Sequence, residues 1–314
     1  MIVNVVYGFL GAGKTTFIRY IMENPPEGEK VVILVNEFGE IGVDGLILSS
    51  IGGQTAEVVE LPSGCICCTM AGDFRRQMLE IHERLSPDRI IVEPTGVATI
   101  SQIMQILEGE DLRELFSDLR LIHLLDASEF MSFIKSHRSF IENQIRRSNS
   151  VLLNKIDRVK PVMLNLLIES IKEINPDVMV YPTSFGRLNN SALEAILGIS
   201  SRGNDGLQIQ SEDEIDHDHG LADQFESYGK RLLSSFSRKR LESFFEKMTS
   251  GKYGRVVRAK GIFETPEEWI KLELASGEVR VDVVPACKFG VISIIGQEIA
   301  KEALDASLAG CLMR

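Results

Sequence analysis

Short runs of apolar and β-branched residues recur along the first 200 residues, and amphipathic stretches separate them. The runs that predict strands span residues 2–7, 31–35, 57–61, 89–92, 119–125, 151–153 and 178–181. The stretches that predict helices span residues 15–23, 69–85, 100–107 and 162–174. Nearly continuous apolar strands that alternate with helices are typical of a parallel sheet covered on both faces. This pattern predicts an α/β fold with a doubly wound, mostly parallel sheet.

The pattern changes after residue 200. Residues 201–223 are polar and acidic, with almost nothing apolar to bury, which predicts a flexible linker. Beyond the linker, strands are predicted up to residue 233 and over 254–263, 269–274 and 279–284, and helices over 237–248 and 297–308. This segregation of strands and helices is typical of an α+β domain with an antiparallel sheet. We therefore expect a first domain over residues 1–200, an acidic linker over 201–223 and a smaller α+β domain over 224–314.

The length and the charge of the chain narrow the class of protein. The 314 residues suffice for two domains, and 45 acidic against 34 basic residues give a formal net charge of −11. Such a surface repels nucleic acids and anionic membranes. No apolar run approaches the roughly 18 residues of a membrane span, and the first residues lack the pattern of a signal peptide. We expect a cytoplasmic protein with neither a nucleic acid nor a membrane as partner.

The first candidate for chemistry is a glycine-rich loop. Residues 8–15 read GFLGAGKT, which satisfies G-x-x-x-x-G-K-[ST] between a predicted strand and a predicted helix. In such a loop backbone N–H groups converge on a phosphate, the lysine bridges the β- and γ-phosphates, and the hydroxyl holds Mg²⁺. The candidate nucleotide-binding residues here are Gly11, Ala12, Gly13, Lys14, Thr15 and Thr16, with Thr15 as the Mg²⁺ ligand.

The motif Asn-Lys-x-Asp at residues 154–157 identifies the base. It follows the predicted strand 151–153, at the sheet edge where ligands bind in this architecture. The carboxylate of Asp157 is placed to accept two hydrogen bonds from guanine, whereas adenine offers neither donor. With Asn154 and Lys155, it predicts that the nucleotide is GTP.

A third segment offers candidate catalytic residues. Residues 89–96 form an apolar strand that ends in Glu93, followed by a turn that contains Gly96. An acid at that position can orient the Mg²⁺ water shell or the attacking water, and the N–H of Gly96 can face the γ-phosphate. The alternative is an ordinary helix-capping turn. With Lys14, these are the predicted catalytic residues.

Three of the four residues 65–68 are cysteines, namely Cys65, Cys67 and Cys68. Thiolates are soft ligands for Zn²⁺ and, less exclusively, for Co²⁺, and the start of the helix at residue 69 favours the thiolate form. From the residues alone, a metal site, buried inert cysteines and a redox pair all remain open. Two further cysteines, Cys287 and Cys311, are expected to be structural.

Taken together, these motifs resemble the metal-centre-assembly family of P-loop GTPases, in the branch of the CobW proteins. The segments that carry the resemblance are residues 8–16, 36–44, 60–68, 93–96 and 154–157, and in the second domain 258–261 and 309–312. The resemblance implies a P-loop GTPase domain over residues 1–200 and a CobW-like C-terminal domain over 224–314. Two departures from the family pattern are Pro94 and Thr95 in the turn after Glu93, and a linker with only two histidines.

The resemblance also implies a metal role. Residues 36–44 would be the first switch, and the three cysteines would bind a transition metal beside the nucleotide. Candidates for the remaining ligand are Glu37, Glu40 and Asp44, each of which could equally be a solvated acid or a second-shell group for Mg²⁺. His217 and His219 are either weak metal ligands or simply part of the linker.

The sequence thus predicts a Mg²⁺-dependent GTPase that holds Zn²⁺ or Co²⁺ and delivers it to a client metalloprotein or metal-cofactor enzyme. Two other functions stay open: a GTP-dependent chaperone that gates a corrinoid cofactor on a partner, and a metal-buffering module whose hydrolysis is incidental. A nucleotide-dependent homodimer is also left open.

Finally, His123 in the run 119–125 is expected to be a hydrogen-bonded core histidine.

Overall fold

The computed structural model describes residues 1–35, 56–60, 70–94, 100–199, 226–275, 277–287 and 289–313. Within these ranges no helix is both long and apolar enough to cross a membrane.

The N-terminal part is built on a seven-stranded sheet whose strand pairings are all parallel. Its strands are β1 (Ile2–Tyr7), β2 (Val31–Val35), β3 (Ala56–Glu60), β4 (Arg89–Glu93), β5 (Asp118–Asp126), β6 (Ser150–Asn154) and β7 (Met179–Pro182). They lie in the order β3-β2-β4-β1-β5-β6-β7, so that β1 is central and the chain winds outward in both directions. This arrangement confirms the predicted doubly wound α/β fold.

Helices cover both faces of this sheet. They are α1 (Lys14–Glu23), α2 (Met70–Leu85), α3 (Ile100–Leu107), α4 (Glu110–Arg113), α5 (Phe130–Ser136), α6 (Arg138–Arg146), α7 (Pro161–Ile174) and α8 (Asn190–Leu197), with a 3₁₀ turn over Ile156–Arg158. Alternation along β1 sends Val5 into the core formed with α2 and α3, and Val6 into the core formed with α1 and α8. The sheet is therefore buried on both faces, as its apolar strands require.

The C-terminal part is a separate five-stranded antiparallel sheet. Its strands are β8 (Glu226–Leu232), β9 (Arg255–Glu264), β10 (Trp269–Ala275), β11 (Glu278–Val284) and β12 (Gly290–Gln297), in the order β11-β10-β9-β12-β8, with helices α9 (Arg238–Met248) and α10 (Lys301–Ala309). Phe244 and Phe245 of α9 pack with Ile270 and Leu272 of β10 in one core. The predicted α+β architecture is confirmed.

One strand of this sheet was not predicted. Residues 290–297 form β12, a central strand that pairs with both β8 and β9, and α10 begins at Lys301 rather than at the predicted residue 297. The strand is buried apart from Gln297, but Ser293 breaks its apolar run and glycines lie near both ends, so it does not stand out in the sequence.

The two sheets meet beside the glycine-rich loop. Phe9 and Leu10 of that loop pack with Val257 of β9 and Ile295 of β12 in a single apolar cluster, and Phe133 lies with its ring centroid 4.1 Å from that of Phe9. The C-terminal sheet therefore contacts the loop that starts α1.

A buried ion pair closes the opposite end of the N-terminal sheet. Arg89, at the start of β4, is fully buried, and its Nε lies 2.7 Å from Glu29 Oε2. Its guanidinium also donates to Asn4 Oδ1 of β1 and to the carbonyl oxygen of Leu197 at the end of α8. One side chain thus ties two central strands to the helix that covers them.

Candidate nucleotide-binding site

The glycine-rich loop runs between β1 and α1, as the motif predicts. Gly8 and Gly13 of this loop have φ angles of 139° and 109°, which glycine adopts far more readily than other residues. A Cβ on Gly13 would lie 2.4 Å from the side-chain nitrogen of Asn154, and one on Gly8 would lie 2.2 Å from the carbonyl oxygen of Leu124. The loop is therefore folded tightly against the ends of β5 and β6.

Lys14 is the first residue of α1 and is buried. Its Nζ donates to the carbonyl oxygens of Gly8 and Phe9, at 2.9 and 3.3 Å. These bonds hold the ammonium over its own loop. A phosphate in the loop can replace these carbonyl partners with oxygens that carry a full charge, which makes the hydrogen bonds stronger.

Thr15 and Glu93 come together although 78 residues separate them. Thr15 Oγ1 donates to Glu93 Oε1 at 3.1 Å, and Glu93 is buried at the carboxyl end of β4. A hydroxyl and a carboxylate side by side are hard oxygen ligands of the kind that Mg²⁺ prefers, so this pair fits the ion that the motif predicts. Gly96, the other predicted catalytic residue of this segment, lies outside the described residues.

The Asn-Lys-x-Asp motif lies directly after β6. Asn154 is buried, and its Nδ2 donates to the carbonyl oxygen of Ala12 at 2.8 Å, while its Oδ1 accepts from the N–H of Gly186 at 3.1 Å. Lys155 adopts a left-handed backbone with φ 60°, and its Nζ lies 2.6 Å from Asp126 Oδ2 at the end of β5. Asp157 is exposed in the 3₁₀ turn and lines the same cavity as Lys14.

Sequence reasoning missed three contributors to this edge. Asp126 orients Lys155, and the loop after β7 brings Gly186 to Asn154. Phe185 in that loop is 59% exposed, has φ 59° and lines the cavity. Asp126 ends β5, and the loop with Phe185 and Gly186 follows β7 of the same parallel sheet. Their position at the carboxyl edge of that sheet is the feature of the sequence that could have assigned them to the site.

Several residues that the sequence predicts for the metal site lie outside the part of the chain that the structure describes. They are Glu37, Glu40, Asp44, Cys65, Cys67, Cys68, His217 and His219. Within the ranges that the structure describes, no group of three His, Cys, Asp or Glu side chains is placed to hold a metal ion.

Cys311 is buried, and its thiol donates to the carbonyl oxygen of Ser307 at 3.3 Å. Burial raises the pKa of this thiol, and to a lesser extent positive charges nearby lower it.

His123 is a core residue, but the prediction that it is hydrogen-bonded is wrong. Its ring stacks on that of Tyr7, with centroids 4.9 Å apart and planes 3° apart. Neither ring nitrogen has a hydrogen-bond partner among the described residues. Burial lowers the pKa of His123 to about 3, and the positive charge of Lys14 adds to the effect. The imidazole is therefore neutral at physiological pH, and aromatic stacking has taken the place of a polar contact.

The phosphate loop between β1 and α1, the Asn-Lys-x-Asp motif after β6 and the parallel sheet that brings them to one edge define a P-loop GTPase. Comparison with known proteins agrees. The family described as "CobW/HypB/UreG, nucleotide-binding domain" matches residues 2–182, and "Cobalamin synthesis protein cobW C-terminal domain" matches residues 225–312. The chain belongs to the CobW/HypB/UreG family.

Several named proteins are similar to this chain in sequence or in structure. It is 26% identical over 308 residues to the zinc chaperone CobW of Sinorhizobium sp, covering 88% of this chain and 85% of that protein. It is 32% identical over 228 residues to the zinc chaperone CobW of Pseudomonas aeruginosa, covering 63% and 60% of the two chains. Among solved structures, the Zn(II)-bound YjiA GTPase from E. coli matches with 19% identity and a TM-score of 0.46, covering 100% of this chain and 99% of that one.

Proposed function

We propose that this chain is a Mg²⁺-dependent GTPase that couples GTP binding and hydrolysis to holding and releasing a transition metal, Zn²⁺ or Co²⁺, for a client metalloprotein. The observation that carries the proposal is the position of Asn154, whose amide links the guanine motif to the phosphate loop. The part of the proposal that concerns metal binding is supported by the C-x-C-C sequence and by relatives named zinc chaperones.

At the phosphate end, Lys14 would exchange its carbonyl partners for the β- and γ-phosphate oxygens. Thr15 and Glu93 would hold Mg²⁺, the hydroxyl directly and the carboxylate through the water shell. The ion would supply positive charge for the developing negative charge on the phosphate oxygens. Gly96 would donate its backbone N–H toward the γ-phosphate.

At the base end, Asp157 would accept hydrogen bonds from the two N–H donors of guanine. The contact between Lys155 and Asp126 would keep the lysine stem beside the base. The remaining nucleotide contacts would come from the backbone of residues 11–16. Every one of these residues belongs to the same edge of one sheet, which is what binding of a single nucleotide requires.

At the metal end, Cys65, Cys67 and Cys68 would supply thiolates, with Glu37, Glu40 or Asp44 completing the site. Binding of the γ-phosphate would order the switch at residues 36–44 and bring these carboxylates toward the thiols. Hydrolysis would reverse this change and release the metal to the client. The cycle therefore requires that metal affinity depend on the nucleotide state.

A metal titration in three nucleotide states tests this cycle. Zn²⁺ and Co²⁺ would be titrated against the chain without nucleotide, with GDP and with a non-hydrolysable GTP analogue. We expect different affinities in these states, and GTP affinity must change by the same factor when metal is added. Binding should also tighten as pH rises toward the thiol pKa values, because metal binding to thiols releases protons.

The double variant Cys67→Ser, Cys68→Ser should lose tight metal binding and keep metal-free GTP affinity. The matched control is Cys287→Ser, Cys311→Ser, which removes the two thiols of the C-terminal part and should leave metal affinity unchanged. Equal metal affinity in all three nucleotide states would contradict the proposed cycle.

A further inference from the structure

The cavity at the nucleotide site has walls from both sheets. Residues of the phosphate loop and of the Asn-Lys-x-Asp motif line one side, and the other side is formed by Arg258, Lys260, Lys271, Glu273, Glu278 and Arg280. Eight of all the lining side chains are basic and three are acidic, so five positive charges are in excess. The chain as a whole has a net charge of −11. The cavity is therefore a strongly cationic site in an acidic protein, which favours an anionic ligand.

The C-terminal wall is one face of the antiparallel sheet. Glu273 of β10 pairs directly with Lys260 of β9 on one side and with Arg280 of β11 on the other. Arg258 and Lys271 stand two positions from Lys260 and Glu273 along their strands, so they share this face. The intervening residues of the strands point to the opposite face, where they form the core with α9. The cavity thus receives a row of charged side chains across three neighbouring strands.

Two carboxylates on this wall are shared among many cations. Glu273 lies 3.3 Å from Arg258, 3.9 Å from Lys260 and 3.6 Å from Lys271. Lys271 also lies 3.1 Å from Asp282 at the exposed side of this wall. Glu278 lies 3.3 Å from Arg280 and 2.9 Å from Arg158. Since Lys260 is buried, bringing these like charges together costs free energy that an anion in the cavity would offset.

The contact between Arg158 and Glu278 locates this wall relative to the base. Arg158 immediately follows Asp157, so the 2.9 Å ion pair brings β11 next to the guanine motif. Phe9 and Leu10 of the phosphate loop share an apolar cluster with Val257 of β9 and Ile295 of β12. The cationic face therefore adjoins both ends of the nucleotide site.

We propose that the C-terminal sheet binds the same nucleotide, with Lys271 and Arg280 contacting the phosphate and ribose oxygens that face away from the phosphate loop. This inference rests on the nucleotide site of the proposed function. GTP carries about four negative charges, of which Mg²⁺ neutralises two, so the ligand matches the sign of the wall. The nucleotide would join the two sheets, and the C-terminal domain would respond directly to its presence.

Calorimetric titration of the 314-residue chain with unlabelled GDP and a non-hydrolysable GTP analogue tests this role. The double variant Lys271→Gln, Arg280→Gln should weaken binding of both nucleotides by about tenfold at low salt, because it removes two partly exposed positive charges from the cavity. The difference from wild type should shrink in 0.5 M salt, at which the Debye length is only a few ångströms. The double variant Lys271→Arg, Arg280→Lys keeps the charge and should retain most of the affinity.

The matched control is Lys230→Gln, Arg238→Gln. These two cations of the C-terminal part form surface ion pairs with Asp305, Glu242 and Glu268 and do not line the cavity. The control removes the same net charge and should change nucleotide affinity less than twofold. Equal nucleotide affinity in the cavity variant and this control would overturn the inference. A wild-type chain that does not bind GTP would instead overturn the proposed function itself.

Discussion

Asn154 donates its side-chain amide to the backbone carbonyl of Ala12 at 2.8 Å, across 142 residues of sequence. The oxygen of the same amide accepts from the N–H of Gly186. One buried side chain thus holds the phosphate loop, the guanine motif and the loop after β7 in a fixed relation. The spacing between the phosphate end and the base end of the site is set by this contact rather than by the strands alone.

The variant Asn154→Ala should therefore weaken GTP binding and destabilise the fold together. It leaves the carbonyl of Ala12 and the N–H of Gly186 buried without this partner, which costs about 1–3 kcal/mol for each such group. We expect at least a tenfold loss of GTP affinity by calorimetry and a lower melting temperature. Wild-type values for both measurements would show that the three loops hold their positions independently.

Lys14→Ala should abolish hydrolysis without unfolding the chain. The ammonium donates to carbonyl oxygens of its own loop, and its charge acts on the phosphates, so we expect turnover to fall by about a hundredfold or more. Phosphate release and circular dichroism measure the two effects. The control is Lys172→Ala, which removes a partly exposed lysine of α7 that donates to the carbonyl oxygen of Pro176, and this variant should hydrolyse GTP normally. Undiminished turnover in Lys14→Ala would place the nucleotide elsewhere.

Asp157→Asn should change the base preference of the site. The amide presents a donor where guanine also presents donors, whereas xanthine offers an acceptor at that position. We expect the preference for GTP over XTP to fall by about a hundredfold, measured by competition binding with GTP, XTP and ATP. The exposed Asp177→Asn serves as control. A wild-type protein that prefers ATP would rule out guanine recognition by Asp157.

The buried imidazole of His123 gives stability a specific pH dependence. Its folded pKa of about 3 lies below the unfolded value near 6.5, so the unfolded chain binds the extra proton between these values. Stability should therefore fall as pH drops below about 6.5, by on the order of 3 kcal/mol at pH 4 from this residue alone. Urea unfolding of wild type and His123→Leu between pH 4 and pH 7 measures the difference. Parallel pH profiles of the two proteins would refute this contribution.

Arg89→Met should destabilise the fold far from the nucleotide site. Glu29 is then left without the guanidinium that lies 2.7 Å away, and breaking a buried ion pair from one side costs roughly 3–5 kcal/mol. Replacing both residues, Arg89→Met with Glu29→Met, should recover much of that loss because no lone charge remains buried. Thermal or urea unfolding distinguishes the two variants. A single variant as stable as wild type would mean that the pair is not buried in solution.

The sequence alone predicts those helices and strands that a continuous local pattern of apolar residues marks. The strands over residues 2–7 and 31–35 and the helix over 100–107 are found at the predicted bounds, since each is a continuous apolar or amphipathic stretch with clear ends. β12 escaped prediction because Ser293 interrupts its apolar run and Gly290 and Gly296 obscure its ends.

The same limit applies to the site. Lys14, Thr15 and Asn154 belong to short motifs that can be found without a structure. The hydrogen bond between Thr15 and Glu93 joins residues 78 positions apart, and the cationic wall of the cavity comes from strands more than 240 positions beyond the phosphate loop. No local pattern marks a lysine in an antiparallel strand as part of a nucleotide pocket, because only the packing of two sheets brings it there.

The apolar cluster that Phe9 and Leu10 share with Val257 and Ile295 bears on which piece of the chain can carry the activity. A fragment that ends before residue 226 would keep every nucleotide motif, yet it would expose two large side chains in the loop that wraps the phosphates. Such a loop has lost the support that shapes it, and uncovered apolar side chains promote association. We therefore expect the two sheets to act as a single functional unit.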